Sequence, residues 1–266
     1  MTKKICIYSN KSRTSIETLD ILRGKLGNAG FQCSDSYTGD EELMICIGGD
    51  GTFLEAMHRY NFPGIPIIGV NTGHLGFFQE IMPDQLDSFV EDYVNGNYSL
   101  QQLSTVKITV DTGQSVNEHI GLNEVVIRGS NYYNIHLNLS IDGCPIERFS
   151  GDGLLVATPA GSTAYNYSLG GSIVDPRLNL LQVTPMAPMN TTAYRSFTSS
   201  ILLPGGGELS IVPDMDYSVP LAIVRDGYVA NYDTVRQINI GFSDLTVRLI
   251  RFEGYDFWTK VKSKFL

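Results

Sequence analysis

The chain has 266 residues, 42% of them hydrophobic and 18% charged, with a formal net charge of -9. That length holds one large domain or two modest ones with proper cores. The acidic balance argues against a general nucleic-acid binder, which needs a basic face, but a few local cations and N–H groups still suit a polyanionic small ligand.

Lys4 to Tyr8 reads as a first strand. Ser15 to Ala29 carries Ile16, Leu19, Leu22 and Leu26 at helical spacing and closes on Gly30. Phe31 to Cys33 is a second short strand. Leu43 to Ile47 is an uninterrupted apolar run, short enough for a buried strand, and it meets Gly48-Gly49-Asp50-Gly51-Thr52. Phe53 to His58 then opens a helix. Ile65 to Val70 is another strand, followed by a loop, Asn71 to Phe77. Pro83 to Val94 is a helix with Leu86, Phe89, Val90 and Tyr93 on one face. This β-α alternation predicts an open, mostly parallel α/β sheet over 1–100.

Near Gln101 the pattern changes to successive β segments. They are Val106 to Val110, Leu122 to Arg128, Ile135 to Ile141, Leu154 to Ala157 and Ser200 to Leu203, then Leu209 to Val212, Leu221 to Val224, Gln237 to Ile240 and Leu245 to Phe252. Asp142-Gly143 and Gly205-Gly206-Gly207 are turn signals, and one helix, Ala164 to Leu169, interrupts the strands. A β-rich, sandwich-like domain is expected over 101–252. Asp256 to Leu266 is a short amphipathic helix with Phe257, Trp258, Val261 and Phe265 as its apolar members. It is expected to pack back on the first domain, which places 253–266 with 1–100.

The cysteines Cys6, Cys33, Cys46 and Cys144 include no C-x-x-C pair and read as reduced thiols of a cytoplasmic protein. His58, His74, His119 and His136 lack the i, i+4 pairing of a structural zinc site. No apolar stretch approaches a membrane span, and the N-terminus lacks the apolar segment of a signal peptide, so no membrane partner is expected.

Three stretches carry residues suited to chemistry. In Gly48 to Thr52 the glycines let a ligand approach the backbone, and the helix start behind them offers N–H groups to an anion. Asp50 would repel a phosphate there. Either it caps the helix, or it acts on something beside the phosphate. No Lys-Ser/Thr follows, so this is not a P-loop, and the spacing is not G-x-G-x-x-G. Asn123-Glu124 sets an amide and an acid inside an apolar run. The pair suits a base or carboxamide edge and ribose hydroxyls, or else marks a strand end with one solvated acid. Gly151-Asp152-Gly153 and Thr158-Pro159-Ala160-Gly161-Ser162-Thr163-Ala164-Tyr165 flank a short strand. The second of these is either a helix capped by a hydroxyl or a small-residue loop on which a nucleotide lies against N–H groups. It does not fit the G-x-S-x-G nucleophile elbow. Asn71 to Phe77 reads as a mobile glycine loop beside the first turn, and Asp226-Gly227 as a hairpin turn.

Taken in this order, G-G-D-G-T, N-T-G-H-L-G-F, N-E, G-D-G and T-P-A-G-S-T-A-Y resemble the NAD kinase family, and the resemblance covers nearly the whole chain. It implies ATP-dependent phosphorylation of the 2′-hydroxyl of the adenosine ribose of NAD, giving NADP. It implies a Rossmann-like N-terminal α/β domain related to those of phosphofructokinase and lipid kinases, and a β-rich, NAD-binding C-terminal domain. A divalent metal such as Mg, held by the ATP phosphates and not by protein side chains, comes with it, as does a homodimer or homotetramer. On this resemblance Asp50 is the general base, and Gly48, Gly49, Gly51 and Thr52 form the phosphate-donor turn. NAD contacts fall on Asp50, Gly51, Phe77, Asn123, Glu124, Asp152, Thr163, Ala164, Tyr165, Asn166, Ser168 and Ala187, with Asp226 near the substrate ribose. Family members often place a basic residue two before the G-D-G aspartate. Here that residue is Ser150, with Arg148 two further back, and these are what the chain offers for a phosphate or intersubunit contact. Two other readings compete: a lipid or nucleoside kinase of the same superfamily, which also carries a G-G-D-G turn, and a non-catalytic NAD-binding module. Asn123-Glu124 and the Thr158 to Tyr165 loop weigh against the lipid kinase.

Overall fold

The structure is a computed structural model, described over residues 3–191 and 195–265. The chain forms two compact units, Met1–Leu103 with Leu245–Leu266, and Ser104–Asp244.

The first unit runs through β1 (Lys4–Ser9), α1 (Arg13–Asn28), β2 (Gln32–Ser34), β3 (Leu43–Gly48), α2 (Asp50–Arg59), β4 (Pro66–Asn71), β5 (Gln79–Ile81) and α3 (Leu86–Asn95) to β6 (Ser99–Asp111). β1 pairs in parallel with β2 and β3, β3 with β4, and β4 with β5. β3 is buried along its whole length, as its apolar run requires. Strand order reverses between β1 and β3, with β2 on one side of β1 and β3 on the other. Open α/β sheets bind ligands beyond the strand ends at such a reversal. Gly48 to Thr52 leaves the sheet there, tied to the end of β1 by Asn10: its N–H donates to Ile47 O (3.2 Å) and its Nδ2 to Thr52 Oγ1 (3.2 Å).

Ser12 caps α1 by accepting from Ser15 N (3.2 Å). The helix buries Ser15, Thr18, Leu22 and Leu26 and leaves Ile16 exposed, contrary to the expected stripe. The reason is polar. The Ser15 hydroxyl lies 2.6 Å from Thr72 Oγ1, so a satisfied serine takes the buried position.

β6 carries the chain into the second unit. There follow β7 (Val116–Gly121), β8 (Glu124–Gly129), β9 (Ile135–Ile141), β10 (Cys144–Gly151), β11 (Gly153–Ala157), α4 (Tyr165–Ser168), β12 (Leu180–Met186), β13 (Ile201–Pro204), β14 (Leu209–Pro213), β15 (Leu221–Arg225), β16 (Tyr228–Tyr232) and the start of β17 (Gln237–Arg251). One antiparallel sheet has the order β13-β12-β11-β8-β15-β16; another layer runs β10-β9-β14-β17. Val125, Ile127, Leu154 and Val156 of the first meet Leu137, Leu139, Ile211 and Ile238 of the second in one core. The unit is therefore a sandwich, built as two inner faces around shared apolar residues. Asp142-Gly143 (φ +50° and +77°) and Asp226-Gly227 (φ +44° and +90°) close two-residue hairpins. Both pairs have the two left-handed residues that a type I′ turn demands.

From Leu245 the chain belongs to the first unit again, ahead of the expected return at 253. Arg248 and Leu249 lie in parallel register with Pro66 and Ile67 of β4. α5 (Phe257–Phe265) follows, and Leu266 lies outside the described residues. Phe257 and Val261 are buried, but Trp258, counted with them among the apolar members of the helix, is exposed. Residues 257, 261 and 265 share one side of a helix, and 258 is about 100° off it.

Candidate active site

In the first unit, Gly48 leaves β3 with φ +155°. A Cβ there would meet Thr52 Cβ at 2.6 Å and Asn10 Nδ2 at 2.9 Å, so only glycine lets the turn close. Gly49 is the N-cap of α2, and Asp50 is the first helical residue. Asp50 therefore does not cap its helix, and one of its two readings falls. Its carboxylate reaches across to the far end of the 71–77 loop, where Oδ2 accepts from Phe77 N and Oδ1 from Phe78 N, each at 3.0 Å. Gly76 makes this possible, because a Cβ on it would collide with the Asp50 carboxylate. Phe53 of α2 stacks on Phe78 with ring centres 4.7 Å apart, and Arg251 Nη2 donates to Phe77 O (3.3 Å). The loop was expected to be mobile; its 77–78 end is pinned from several directions.

Two residues here escape a sequence reading. Lys264 of α5 brings its ammonium to 3.7 Å from Asp50 Oδ2. Gln79, on β5, is buried with no hydrogen-bond partner for either amide atom. Both are distant in sequence from the glycine turn. A helix scanned for apolar periodicity does not announce that a lysine on its flank faces a carboxylate of the glycine turn.

In the second unit, Asn123 and Glu124 stand at the start of β8, and Asp226 holds them. Its Oδ2 accepts from Leu122 N (2.6 Å) and its Oδ1 from Asn123 N (2.8 Å) and Glu124 N (3.2 Å). From the other side, Thr158 Oγ1 donates to Leu122 O (2.6 Å) and Thr158 N to Asn123 O (2.9 Å). The backbone of 122–124 is thus engaged through both its donors and its acceptors. Asn123 Oδ1 and Glu124 Oε2 are different: both are buried without a hydrogen-bond partner. Buried polar atoms are normally paired, so two adjacent orphans make this a candidate ligand site.

Burial, and next the charge of Asp226, push the Glu124 carboxyl up to about 8. The pH consequence follows from linkage. The neutral carboxyl favours the fold fully below the ordinary value of 4.5, and that contribution is lost as pH rises through about 8. Glu124→Gln cannot ionise. Scanning calorimetry without ligand should find its melting temperature close to that of the native chain near pH 5 and several degrees above it near pH 9. A gap that does not widen with pH would sink the assignment.

The Thr158 to Tyr165 stretch packs against this turn. A Cβ on Gly161 would overlap the Asn123 carbonyl, so the small residue is a steric necessity. Ser162 Oγ donates to Val174 O (3.2 Å) and accepts from Val174 N (2.9 Å). The N-cap of α4 is Ala164, without a side-chain bond, so the hydroxyl cap is corrected: the serine hydroxyl ties down residue 174 instead. Thr163 is buried, while Tyr165 and Ser168 are exposed. Asn166 is fully buried. Its Nδ2 donates to Ser162 O and Ser172 O, and its Oδ1 accepts from Thr184 Oγ1 (2.6 Å). That amide is committed to the fold.

Asp152 and Ala187 are exposed, and the pairing of β11 with β12 brings their backbones together: Asp152 N donates to Met186 O (2.9 Å), and Ala187 has φ +44°. Ser150 is fully buried, with its N–H on Ser196 Oγ (3.0 Å) and its carbonyl accepting from Met189 N (2.8 Å). Its burial removes it from contact with a phosphate or a second subunit. Arg148 pairs with Asp214 and lies 5.7 Å from the Tyr217 ring centre.

Comparison with known proteins bears on what these groups serve. Residues 28–98 match the model of the ATP-NAD kinase N-terminal domain, and residues 122–250 that of the ATP-NAD kinase C-terminal domain. A protein of Finegoldia magna named NAD kinase is 38% identical over a 269-residue alignment that spans 100% of this chain and 98% of that one. The chain belongs to the NAD kinase family. Another NAD kinase, from Staphylococcus carnosus, is 34% identical over 85% of this chain and 84% of its own length. Among solved structures, yeast NADH kinase complexed with NADH aligns with a TM-score of 0.87 at 18% identity, covering 98% of this chain and 87% of that one. An NAD kinase from Archaeoglobus fulgidus in complex with ATP aligns with a TM-score of 0.79 at 21% identity, covering 98% and 99%. The fold is that of NAD kinases, with an α/β N-terminal part and a β-rich C-terminal part. Membership in this family of phosphotransferases sets aside the lipid-kinase and binding-module readings.

Proposed function

We propose that the chain transfers the γ-phosphoryl group of ATP to the 2′-hydroxyl of the adenosine ribose of NAD, with Asp50 as general base. The observation that carries this reading is the anchoring of Asp50 on Phe77 N and Phe78 N. A carboxylate has about four lone-pair sites, and two of these remain for a hydroxyl proton. The ribose oxygen attacks phosphorus, its proton passes to Asp50, and the bond to the bridging oxygen of ATP breaks to release ADP. Such a base is typically worth about two to four powers of ten, while the rest of phosphoryl transfer depends on positioning and charge neutralisation.

The turn of Gly48, Gly49, Gly51 and Thr52 receives the donor phosphates at the positive end of α2, with the Thr52 N–H itself already donating to Gly49 O (3.0 Å). Asn123 Oδ1 and Glu124 Oε2 take up donors from NAD, which supplies the partners that they lack. Asp152, Thr163, Ala164, Tyr165, Ser168 and Ala187 make further NAD contacts, with Phe77 beside Asp50. Asp226 acts through the backbone of 122–124. A divalent metal, Mg, would be held by the ATP phosphates, where it would neutralise charge on the transferred group. The working form is a homodimer or homotetramer in the cytoplasm, where the four free cysteines stay reduced.

Incubation with ATP, Mg and NAD, followed by an NADP assay, tests the reading. NADP should accumulate in step with ADP. Binding of NAD without ATP consumption, or phosphorylation of a dispersed lipid with NAD ignored, would defeat it.

A further inference from the structure

The glycine turn lacks the lysine that follows a P-loop, the chain is acidic overall, and ATP adds further negative charge. The crowding of acceptors is local as well. Asp50 Oδ1 and Gln79 Oε1 converge so closely that a Cβ on Gly76 would strike both. Phosphoryl transfer needs charge neutralised at the moving group. The metal on ATP and the N–H groups of the turn supply part of this, and a cation of this chain beside Asp50 would add to it.

α5 supplies one. The helix is seated by the burial of Phe257 and Val261 and by Phe77, whose ring centre lies 5.9 Å from that of Phe257 and 6.0 Å from that of Phe265. Lys260 fixes its register. Its ammonium donates to Gln79 O and stands 4.0 Å from Glu80 Oε2, and Glu80 is itself paired with Arg251 at 2.7 Å. One helical turn further on the same side is Lys264. Its ammonium lies 3.7 Å from Asp50 Oδ2 and 4.8 Å from the Phe77 ring centre. At 3.7 Å it faces the carboxylate as a charge and leaves the lone pairs to other donors. Lys260 is a packed strut, whereas Lys264 is about one-third exposed and keeps room to turn.

We propose that Lys264 is a further catalytic residue, which pairs with Asp50 in the absence of donor and turns to the phosphoryl oxygens when ATP is bound. This rests on the reading of Asp50 as the base. Moving the ammonium from carboxylate to phosphate neutralises the transferred group and releases Asp50 to accept the ribose proton.

The test uses Lys264→Met and Lys264→Arg in the full chain, with Asp50→Asn beside them. At saturating ATP, Mg and NAD, Lys264→Met should lose about 10²-fold in kcat, the scale of a removed transition-state donor. Its KM for NAD and its melting temperature should stay at the native values, and Lys264→Arg should keep most of the turnover. Native kcat in Lys264→Met overturns the proposal. So does a loss that Lys264→Arg shares, or one that follows a drop in melting temperature, because each of these describes packing of α5. Near-normal turnover in Asp50→Asn would instead defeat the general-base reading, and the lysine variants would separate that failure from this one.

Discussion

Asp50→Asn is expected to fold, to bind NAD with nearly native affinity, and to lose turnover by about two to four powers of ten. Two features set the expectation. The carboxylate is held by backbone N–H groups of Phe77 and Phe78, and the turn proposed to hold NAD, 122–124, is anchored by Asp226. An asparagine keeps one acceptor oxygen for one of these N–H groups and presents an amide to the other. The loop end should therefore loosen slightly, at a cost of about 1–3 kcal/mol for the donor left without a partner. Steady-state kinetics and calorimetric titration with NAD check the two halves of the statement. Near-normal turnover, or NAD binding lost along with turnover, would refute it.

The second large effect is expected for Asp226→Ala. One carboxylate accepts from three consecutive N–H groups, those of Leu122, Asn123 and Glu124. All three residues are buried. Alanine leaves three donors without partners, and each orphan costs about 1–3 kcal/mol. One term opposes this: the charge that helps push up the Glu124 carboxyl disappears. The net loss should still be at least about 3 kcal/mol, with the KM for NAD raised, because the loop that carries the Asn123 and Glu124 side chains loses its anchor. Thermal unfolding and NAD titration read the two effects. A variant with native melting temperature and native affinity would return Asp226-Gly227 to a plain hairpin turn.

Much of this molecule is legible from local pattern. Leu43 to Ile47 reads as a buried strand because nothing polar interrupts it, and β3 is buried from end to end. The helical spacing of Leu22 with Leu26, and of Leu86 with Phe89 and Tyr93, identifies faces that are buried. What stays hidden depends on partners far away in the chain. β12 carries Gln182, Thr184 and Pro185 and has no apolar alternation, yet all three are buried. Gln182 is satisfied by Ser172, and Thr184 by Asn166 and Ser200. β16 is an edge strand with Tyr228 and Val229 exposed, so it lacks a buried side to advertise. Ser15 takes a core position on α1 because Thr72 waits for it, and no spacing rule foresees that pairing.

The same division runs through the candidate site. Gly48 to Thr52, Asn123-Glu124 and Thr158 to Tyr165 stand out because unusual residue types are adjacent in sequence. The roles within them do not. Whether Asp50 caps its helix depends on N–H groups at positions 77 and 78. Whether Asp226 is a turn residue or an anchor depends on N–H groups at positions 122 to 124. The structure makes it both. Residue type places a carboxylate in a loop; only the fold says which donors surround it.

The first unit is discontinuous, since Ser104–Asp244 interrupts it. During synthesis the second unit is contiguous and complete before its neighbour is. β4 waits for the parallel partner that Arg248 and Leu249 provide, and Phe77 waits for Phe257. Domains fold largely as units as the chain emerges. Once the chain has emerged as far as residue 244, it therefore holds a finished sandwich and an α/β sheet with an open edge. The Gly48 to Thr52 turn would already be made, but Lys264 would not yet exist. On the role proposed for Lys264, full phosphoryl-transfer competence would thus wait for the last part of translation.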